Sequence, residues 1–138
     1  GVAYVSNDGS FEAVGATISD NTASSNGAVV YMSGESASGT IAHSFVTRNQ
    51  ASGTGTDAGV GYLADSASFM VANSTFRDNE AVNEGGCFFV DSSFLFLADS
   101  KFYDNYASKG AVFSAEAGSA SVSGCDLDGN SAVEGGAF

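Results

Sequence analysis

Acidic and basic side chains that recur at similar positions are the groups in this sequence best suited to chemistry. Asp20, Asp78, Asp104 and Asp128 each lie one or two places before an asparagine, and the bases around them are Arg48, Arg77, Lys101 and Lys109. Clustered carboxylates can hold Ca²⁺, and a neighbouring Arg or Lys can act as a base toward a bound substrate. The alternation of sign is more typical of a surface charge network. We therefore expect no catalytic residue, no cofactor and no metal site, with Asp78 and Asp104 as weak calcium candidates.

The remaining reactive groups are few. His43 is the one histidine, and the two cysteines, Cys87 and Cys125, fall in different parts of their repeats, so stacking would not bring them within disulfide reach. We predict a solvated histidine and two buried free thiols. Asn73-Ser74-Thr75 is an N-glycosylation sequon, which makes Asn73 a candidate for carrying a glycan.

A repeat of the form small-x-apolar-x-x-Asn-x-Ala must position these groups. Its five copies are anchored by asparagines that lie 28, 30, 26 and 25 residues apart, namely Asn21, Asn49, Asn79, Asn105 and Asn130. A period of this length is typical of solenoids and related arrays, in which each unit buries its apolar face against its neighbours. The same asparagine in every coil is too frequent for one active site. It predicts a structural ladder of amide hydrogen bonds.

Apolar residues alternate with a period of two inside each copy, which indicates half-buried strands. The inward positions are Ile18, Val46, Phe76, Phe102 and Leu127, and the residue type just before each strand favours a left-handed corner. The pattern predicts an all-β fold: a right-handed parallel β-helix of about five coils, with three short strands per coil, forming a single domain over residues 1–138.

The strand after each repeated glycine is apolar on both faces. If Ala28, Cys87, Ala111 and Ala137 point inward, an outward apolar stripe follows, and the segment Ser92 to Asp99 adds further aromatics. The candidate interface residues are Val29, Phe88, Val112, Phe138, Phe94 and Phe96. Such a stripe indicates either lateral contact with another chain or cover by the chain's own loops.

Paired F-x-x-N and G-G-A type motifs give the chain a family resemblance. They read Phe76-Arg-Asp-Asn79 with Gly85-Gly86-Cys87, and Phe102-Tyr-Asp-Asn105 with Gly110-Ala111, and the first two repeats follow them loosely. The chain resembles the repeats of polymorphic outer-membrane proteins and related pectin-lyase-like β-helix proteins. The resemblance implies the β-helix fold. It leaves function open among adhesins, passenger domains, fibre components and polysaccharide lyases.

The charge balance narrows the range of partners. Sixteen acids against four bases give a net charge of −12, which argues against nucleic acid and anionic membrane surfaces as ligands. No apolar run is long enough to insert into a membrane. The composition is typical of an extracellular or cell-surface protein, kept apart from others by self-repulsion.

We therefore expect a structural protein rather than an enzyme, one that forms a filament or stalk by stacking and lateral self-association into a homo-oligomer. Neither end of the repeat array carries a capping segment, so the chain is expected either to be part of a longer protein or to stack on its next copy. The alternative is an adhesin or glycan-binding module that reads glycans through Tyr31, Tyr62 and Tyr103. A polysaccharide lyase-like enzyme ranks below both.

Overall fold

Twenty short strands and no helix make up the computed structural model, which describes residues 1–138. The strands form four five-stranded sheets in which every named pairing is parallel and every neighbour comes from the next coil. The all-β solenoid of five coils is thus confirmed. The chain contains no helix with the length and apolar character needed to span a membrane.

Each coil contributes one strand to each sheet. The first sheet contains β1 (Ala3–Ser6), β5 (Val30–Ser33), β9 (Gly61–Ala64), β13 (Phe88–Asp91) and β17 (Phe113–Glu116). The second sheet contains β2 (Ser10–Val14), β6 (Ser38–Ala42), β10 (Ser68–Ala72), β14 (Phe94–Ala98) and β18 (Ser119–Ser123). The third sheet contains β3 (Thr17–Ser19), β7 (Phe45–Thr47), β11 (Thr75–Arg77), β15 (Lys101–Tyr103) and β19 (Asp126–Asp128). The fourth sheet contains β4 (Thr22–Ala23), β8 (Gln50–Ala51), β12 (Glu80–Ala81), β16 (Tyr106–Lys109) and β20 (Ser131–Glu134).

The fourth sheet is the difference from the predicted three strands per coil. It follows the ladder asparagines, and three of its strands have only two residues, so no alternation of apolar and polar residues reveals it. Its inward side chains are alanines, and Ala51, Ala81 and Ala107 form a separate small apolar cluster. Small residues fit here because the coil turns sharply next to the asparagines.

The main core fills the space between the sheets. Val46, Phe76 and Phe102 are fully buried, and Ile18 and Leu127 pack against the same cluster from the two end coils, as the alternation predicted. Equivalent residues stack along the axis, and the rings of Phe76 and Phe102 lie 5.0 Å apart at 20°. The core is therefore continuous from coil to coil, as expected of a solenoid.

The corner between the second and third sheets has the predicted left-handed backbone. His43, Asn73 and Asp99 have φ values of 50°, 48° and 47°. A second left-handed corner precedes each ladder asparagine, and Arg48 occupies it in the second coil with φ 53°. The other coils have Asp20, Asp78, Asp104 and Gly129 at this corner, and Asp and Gly adopt the left-handed conformation more readily than Arg.

Gly39 is required for packing inside the second sheet. A Cβ at this position would lie 2.2 Å from Cε2 and 2.3 Å from Cδ2 of Phe69. The Phe69 ring lies across Gly39 and stacks on Phe11, with 6.4 Å between the ring centroids. Because Gly39 has no side chain, the ring of Phe69 on one neighbouring strand can contact the ring of Phe11 on the other.

We expect Gly39→Ala to destabilise the protein by about 1–3 kcal/mol, because the added methyl overpacks a filled core. Urea unfolding followed by circular dichroism measures this. Ser38→Ala, on the exposed face of the same strand, is the matched control and should change stability by less than about 0.5 kcal/mol. Equal effects of the two substitutions would contradict the packing assigned to Gly39.

Candidate functional site

The asparagines form a continuous hydrogen-bonded ladder, as the repeat predicted. The side-chain Nδ2 of each asparagine donates to Oδ1 of the asparagine in the next coil, at 2.8 Å from Asn21 to Asn49, 2.9 Å from Asn49 to Asn79, 3.0 Å from Asn79 to Asn105 and 2.9 Å from Asn105 to Asn130. The same Oδ1 also accepts the backbone N–H of the preceding asparagine. Asn49, Asn79 and Asn105 are fully buried.

The ladder also joins the third sheet. Nδ2 of Asn49, Asn79, Asn105 and Asn130 donates to a carbonyl one coil back, on Ile18, Val46, Phe76 and Phe102 respectively. Each internal asparagine therefore has both its donors and its acceptor satisfied. Buried amides without such partners would be costly, so the ladder stabilises the stack and fixes its register.

The bonds between neighbouring asparagines all point in one direction along the axis. Donors lie on the earlier coil and acceptors on the later one. As a result, Asn21 Oδ1 accepts no hydrogen bond within the chain, and the backbone N–H of Asn130 donates none. One end of the stack thus offers an acceptor and the other offers a donor.

A second ladder, of serines, was missed by the sequence prediction. The backbone N–H of Ala16, Ser44 and Ser74 donates to Oγ of Ser44, Ser74 and Ser100, each at 3.1 Å. Each Oγ donates in turn to the carbonyl two residues earlier. The sequence feature that could have predicted this ladder is the recurrence of serine two places before an inward apolar residue. Cys125 occupies this position in the last coil, where its Sγ donates to the Ser123 carbonyl at 3.4 Å.

Ion pairs occupy the outer surface beside the asparagine ladder. Arg48 binds Asp20 through two hydrogen bonds of 2.7 and 2.8 Å, and this contact lowers the pKa of Asp20 and raises the pKa of Arg48. Arg77 lies between Asp104, at 3.1 Å, and Asp78, at 3.5 Å. All five side chains are about half exposed or more, so each exposed pair contributes little to stability.

The two weak calcium candidates thus share one arginine. Asp78 and Asp104 face Arg77, and no three His, Cys, Asp or Glu side chains in the chain are grouped to hold a metal ion. Next to them, Arg77, Tyr103, Asp104, Asp126 and Asp128 line an open groove of about 450 Å³. Tyr103 Oη donates to Asp126 at 2.6 Å, which raises the pKa of Tyr103. The geometry is that of the surface charge network the sequence suggested.

Aromatic side chains stack along the outer face of the first sheet. Tyr4, Tyr31, Tyr62 and Phe89 follow one another with ring centroids 5.3, 5.1 and 5.1 Å apart. Partial burial raises the pKa of Tyr62 to about 12. Tyr31 and Tyr62, suggested as glycan contacts, therefore belong to one row. Tyr103, the third suggested residue, lies on a different sheet.

A groove of about 480 Å³ runs beside the first two tyrosines. Tyr4 and Tyr31 form one side, and Ser24, Ser25, Asn26, Thr54 and Thr56 line the rest together with Gly55. The lining offers aromatic rings, hydroxyls and one amide, and it contains no ionisable acid or base other than the phenols. Such a site suits a neutral ligand rich in hydroxyl groups.

The predicted interface stripe is partly wrong. Val29, Phe88 and Val112 are fully buried core residues. Backbone bonds join Val29 to Val60, Val60 to Cys87, and Cys87 to Val112, so Cys87 is equivalent to Val29 and not to Ala28. The comparison of the repeats had therefore matched Cys87 to a position one residue too early. In addition, Cys87 and Phe88 are both buried core residues, and their N–H groups donate to the same Val112 carbonyl, so the alternation of faces is interrupted just before β13.

The other three interface residues are exposed. Phe138 is 48% exposed, and its ring packs 4.6 Å from Phe113 at the end coil, so it does not belong to a lateral stripe. Phe94 and Phe96 are 47% and 43% exposed on the outer face of the second sheet, with Leu95 and Leu97 buried between them. The lateral apolar surface therefore lies on the second sheet.

Asn73 and His43 are exposed at the left-handed corner, one coil apart. His43 is solvated as predicted. The exposed amide of Asn73 is accessible to a modifying enzyme, whereas the adjacent Ser74 hydroxyl is engaged in the serine ladder. Glycosylation of Asn73 stays a prediction.

Both cysteines are free, as predicted, but only Cys87 is buried. Complete burial raises the pKa of the Cys87 thiol well above its ordinary value, and this suppresses the reactive thiolate. Cys125 is half-buried because it lies in the last coil. The prediction of two buried thiols was therefore wrong for Cys125.

We expect a thiol reagent at pH 8 to modify Cys125 alone in the folded protein and both cysteines in denaturant. Mass spectrometry of the labelled protein counts the modified thiols. Cys125→Ser should abolish labelling of the folded protein, since Cys87 stays unreactive. Rapid labelling of Cys87 in that variant without denaturant would show that the core opens, contrary to the packing described above.

One comparison with known proteins supports the fold. The sequence matches the model of a protein family described as "right handed beta helix region" over residues 2–137. Neither the search of curated proteins nor the search of solved structures found a match.

Proposed function

The chain belongs to the right-handed β-helix family, and on that premise we propose that it is a structural protein, which forms a filament or stalk at the cell surface or outside the cell. Its work is mechanical. Stacked coils, joined by backbone bonds and two side-chain ladders, form a stiff rod. We further propose that the chain is not an enzyme.

The polarity of the asparagine ladder is the observation that carries this proposal. An unused acceptor on Asn21 lies at one end, and the unused N–H of Asn130 lies at the other. The two ends are complementary, and a head-to-tail contact of this kind repeats without closing on itself. The incoming coil belongs to a second copy in a filament, or to the same polypeptide in a longer stalk.

The terminal coils also expose parts of the core. Ile18 in the first coil and Leu127 in the last are only partly buried, although their equivalents in the inner coils are fully buried. Stacking another coil on either end would remove this apolar surface from water, which is favourable. The end surfaces and the ladder therefore favour the same axial contact.

The ion pairs support a non-enzymatic role. Arg48 and Arg77 are each held by neighbouring aspartates, so neither guanidinium is left unpaired to act on a substrate. Exposed Asn73 and a net charge of −12 support a location outside the cell, where a glycan and mutual repulsion between rods would keep them soluble.

A variant with blocked edges tests the axial contact. In the inner coils, the residues equivalent to Thr17 and Thr22 donate their N–H to the previous coil, as Phe45 does to Ala16 and Gln50 to Asn21. Proline at Thr17 and Thr22 removes two of the N–H groups that a preceding coil would use, and proline is tolerated on an edge strand. The matched control is Thr17→Val with Thr22→Val.

We expect the proline variant to keep its circular dichroism spectrum and to lose the sedimenting high-mass species formed by the parent and by the valine control. High-mass species of equal abundance in the proline and valine variants would reject the stacking of copies through this edge.

A second candidate function, a glycan-binding module, is favoured by the groove beside Tyr4 and Tyr31. Its neutral, hydroxyl-rich lining and exposed ring suit a saccharide with an apolar face. The fluorescence of the tyrosines can report ligand binding, because the chain has no tryptophan whose emission would mask it. Titration with neutral oligosaccharides should change this fluorescence in the parent and in Tyr106→Ala, where the replaced ring is exposed on the fourth sheet, but not in Tyr31→Ala. If the fluorescence of Tyr31→Ala changed as much as that of the parent, the groove would not be the binding site.

A further inference from the structure

An apolar patch lies in the middle of the outer face of the second sheet. Phe94 and Phe96 project from β14, and Met70, which is 50% exposed, projects from β10. The strand register places Met70 beside Phe96 and Ala72 beside Ala98. These five residues form one continuous exposed surface, which we call the second-sheet patch.

The sheet face around this patch is nearly uncharged. Its outward positions carry one ionisable side chain, that of Glu12 on β2, and the others are small or apolar: Ser10, Val14, Ser38, Thr40, Ala42, Ser68, Met70, Ala72, Phe94, Phe96, Ala98, Ser119, Ser121 and Ser123. The outer faces of the other sheets carry ionised groups, among them Asp91 and Glu116 on the first, Lys101 and Asp126 on the third, and Glu80 on the fourth.

From this charge distribution we infer that the second-sheet patch binds the same patch on a second copy of the chain, so that two rods pair face to face. Copies with a net charge of −12 repel one another, and the second sheet is the face over which they meet with one acid per copy, Glu12 at its edge. The inference specifies the lateral contact within the proposed structural function and rests on that function.

The shape of the face supports self-pairing. The two large rings on β14 lie beside β18, whose outward residues Ser119, Ser121 and Ser123 are small. Phe94 and Phe96 of one copy can pack over the small residues of the other, and sheets packed face to face lie about 10 Å apart.

The size of the face predicts how strong the contact is. Five strands spaced about 4.8 Å apart and five residues long give a face of roughly 400 Å² per copy, or about 800 Å² in total. A stable protein interface usually buries at least about 1,200 Å² in total. A single pair of chains should therefore associate weakly, and stacked chains should pair tightly, because each added copy lengthens the shared face.

The chain provides an internal probe of the patch. It has two methionines, Met70 in the patch and Met32 fully buried in the core. With dilute hydrogen peroxide, Met70 should oxidise readily at low protein concentration and several-fold more slowly at high concentration, once the patch is covered. Met32 should oxidise slowly at every concentration, and mass spectrometry of peptides separates the two sites.

Two variants complete the experiment, both carried in the chain with prolines at positions 17 and 22 so that axial stacking does not contribute. Phe94→Ser with Phe96→Ser should weaken the association measured by sedimentation equilibrium at least tenfold, and it should abolish the concentration dependence of Met70 oxidation. Phe45→Ser removes a ring that is 41% exposed on the third sheet, and it should change neither measurement.

The inference would be overturned if Phe45→Ser weakened the association and the double serine variant did not. It would also be overturned if the chain associated while Met70 was oxidised equally fast at all protein concentrations. A chain that stays monomeric at millimolar concentration would overturn it as well, and would leave the patch to a partner other than a second copy. These results are separate from a failure of axial stacking, because stacking is judged from the high-mass species of the parent and the valine control.

Discussion

Replacing Asn79 with alanine should destabilise the protein by about 3–5 kcal/mol. Asn79 lies at the centre of the ladder, where it accepts two hydrogen bonds from Asn49 and donates to Val46 and Asn105. The alanine variant leaves the N–H groups of Asn49 and the Val46 carbonyl buried without a partner, at about 1–3 kcal/mol for each such group. Urea unfolding followed by circular dichroism measures the loss.

Asn130→Ala is the matched control for this substitution. Asn130 is half-buried, and its side chain has contacts toward one neighbouring coil only. We expect it to cost about 1–2 kcal/mol, less than the effect at Asn79, because water can reach the groups that are left unpaired beside this half-buried position. If the two substitutions had equal effects, or if Asn79→Ala cost less than 1 kcal/mol, the ladder would not be the stabilising feature described here.

Phe76→Ala should destabilise the protein by about 3–5 kcal/mol through a cavity in the middle of the core. The Phe76 ring is fully buried between Phe102, at 5.0 Å, and Phe88, at 5.5 Å. Both neighbours are themselves held in stacked rows, so they cannot move far to fill the space. The change in thermal midpoint and in urea midpoint reports the loss.

The neighbouring coil supplies the control for Phe76. Phe45 lies on the adjacent strand of the same sheet, but its ring points to solvent. Phe45→Ala should alter the free energy of unfolding by less than about 0.5 kcal/mol. A cost at Phe45 comparable with that at Phe76 would contradict the inward and outward assignment of the third sheet.

Much of the fold was predictable because the strongest constraints repeat. The asparagine spacing fixed the number of coils, and alternation around Val46, Phe76 and Phe102 identified the inward face of the third sheet correctly. The fourth sheet was not predictable, since strands of two residues carry no period. Phe88 was placed on the wrong face, because alternation was assumed to continue from Cys87, whereas the structure buries both residues where the chain enters the first sheet.

The candidate surfaces were harder to predict than the scaffold. The row of Tyr4, Tyr31, Tyr62 and Phe89 depends on the register of the first sheet, which the sequence did not reveal. The second-sheet patch was foreseen through Phe94 and Phe96, but the part played by Met70 requires the pairing of β10 with β14. Serine recurs at the ladder position in three of the five repeats. Because serine is also common in the loops, this recurrence did not predict a hydrogen-bonded ladder.

Electron microscopy of the native protein, without detergent or denaturant, tests the central claim that this β-helix builds an extended rod. Five coils spaced about 4.8 Å apart occupy about 24 Å of axis. We predict filaments in which every five coils occupy about 24 Å of axis, thickened where two rods pair through their second sheets. Discrete compact particles that do not lengthen at any protein concentration would contradict the claim.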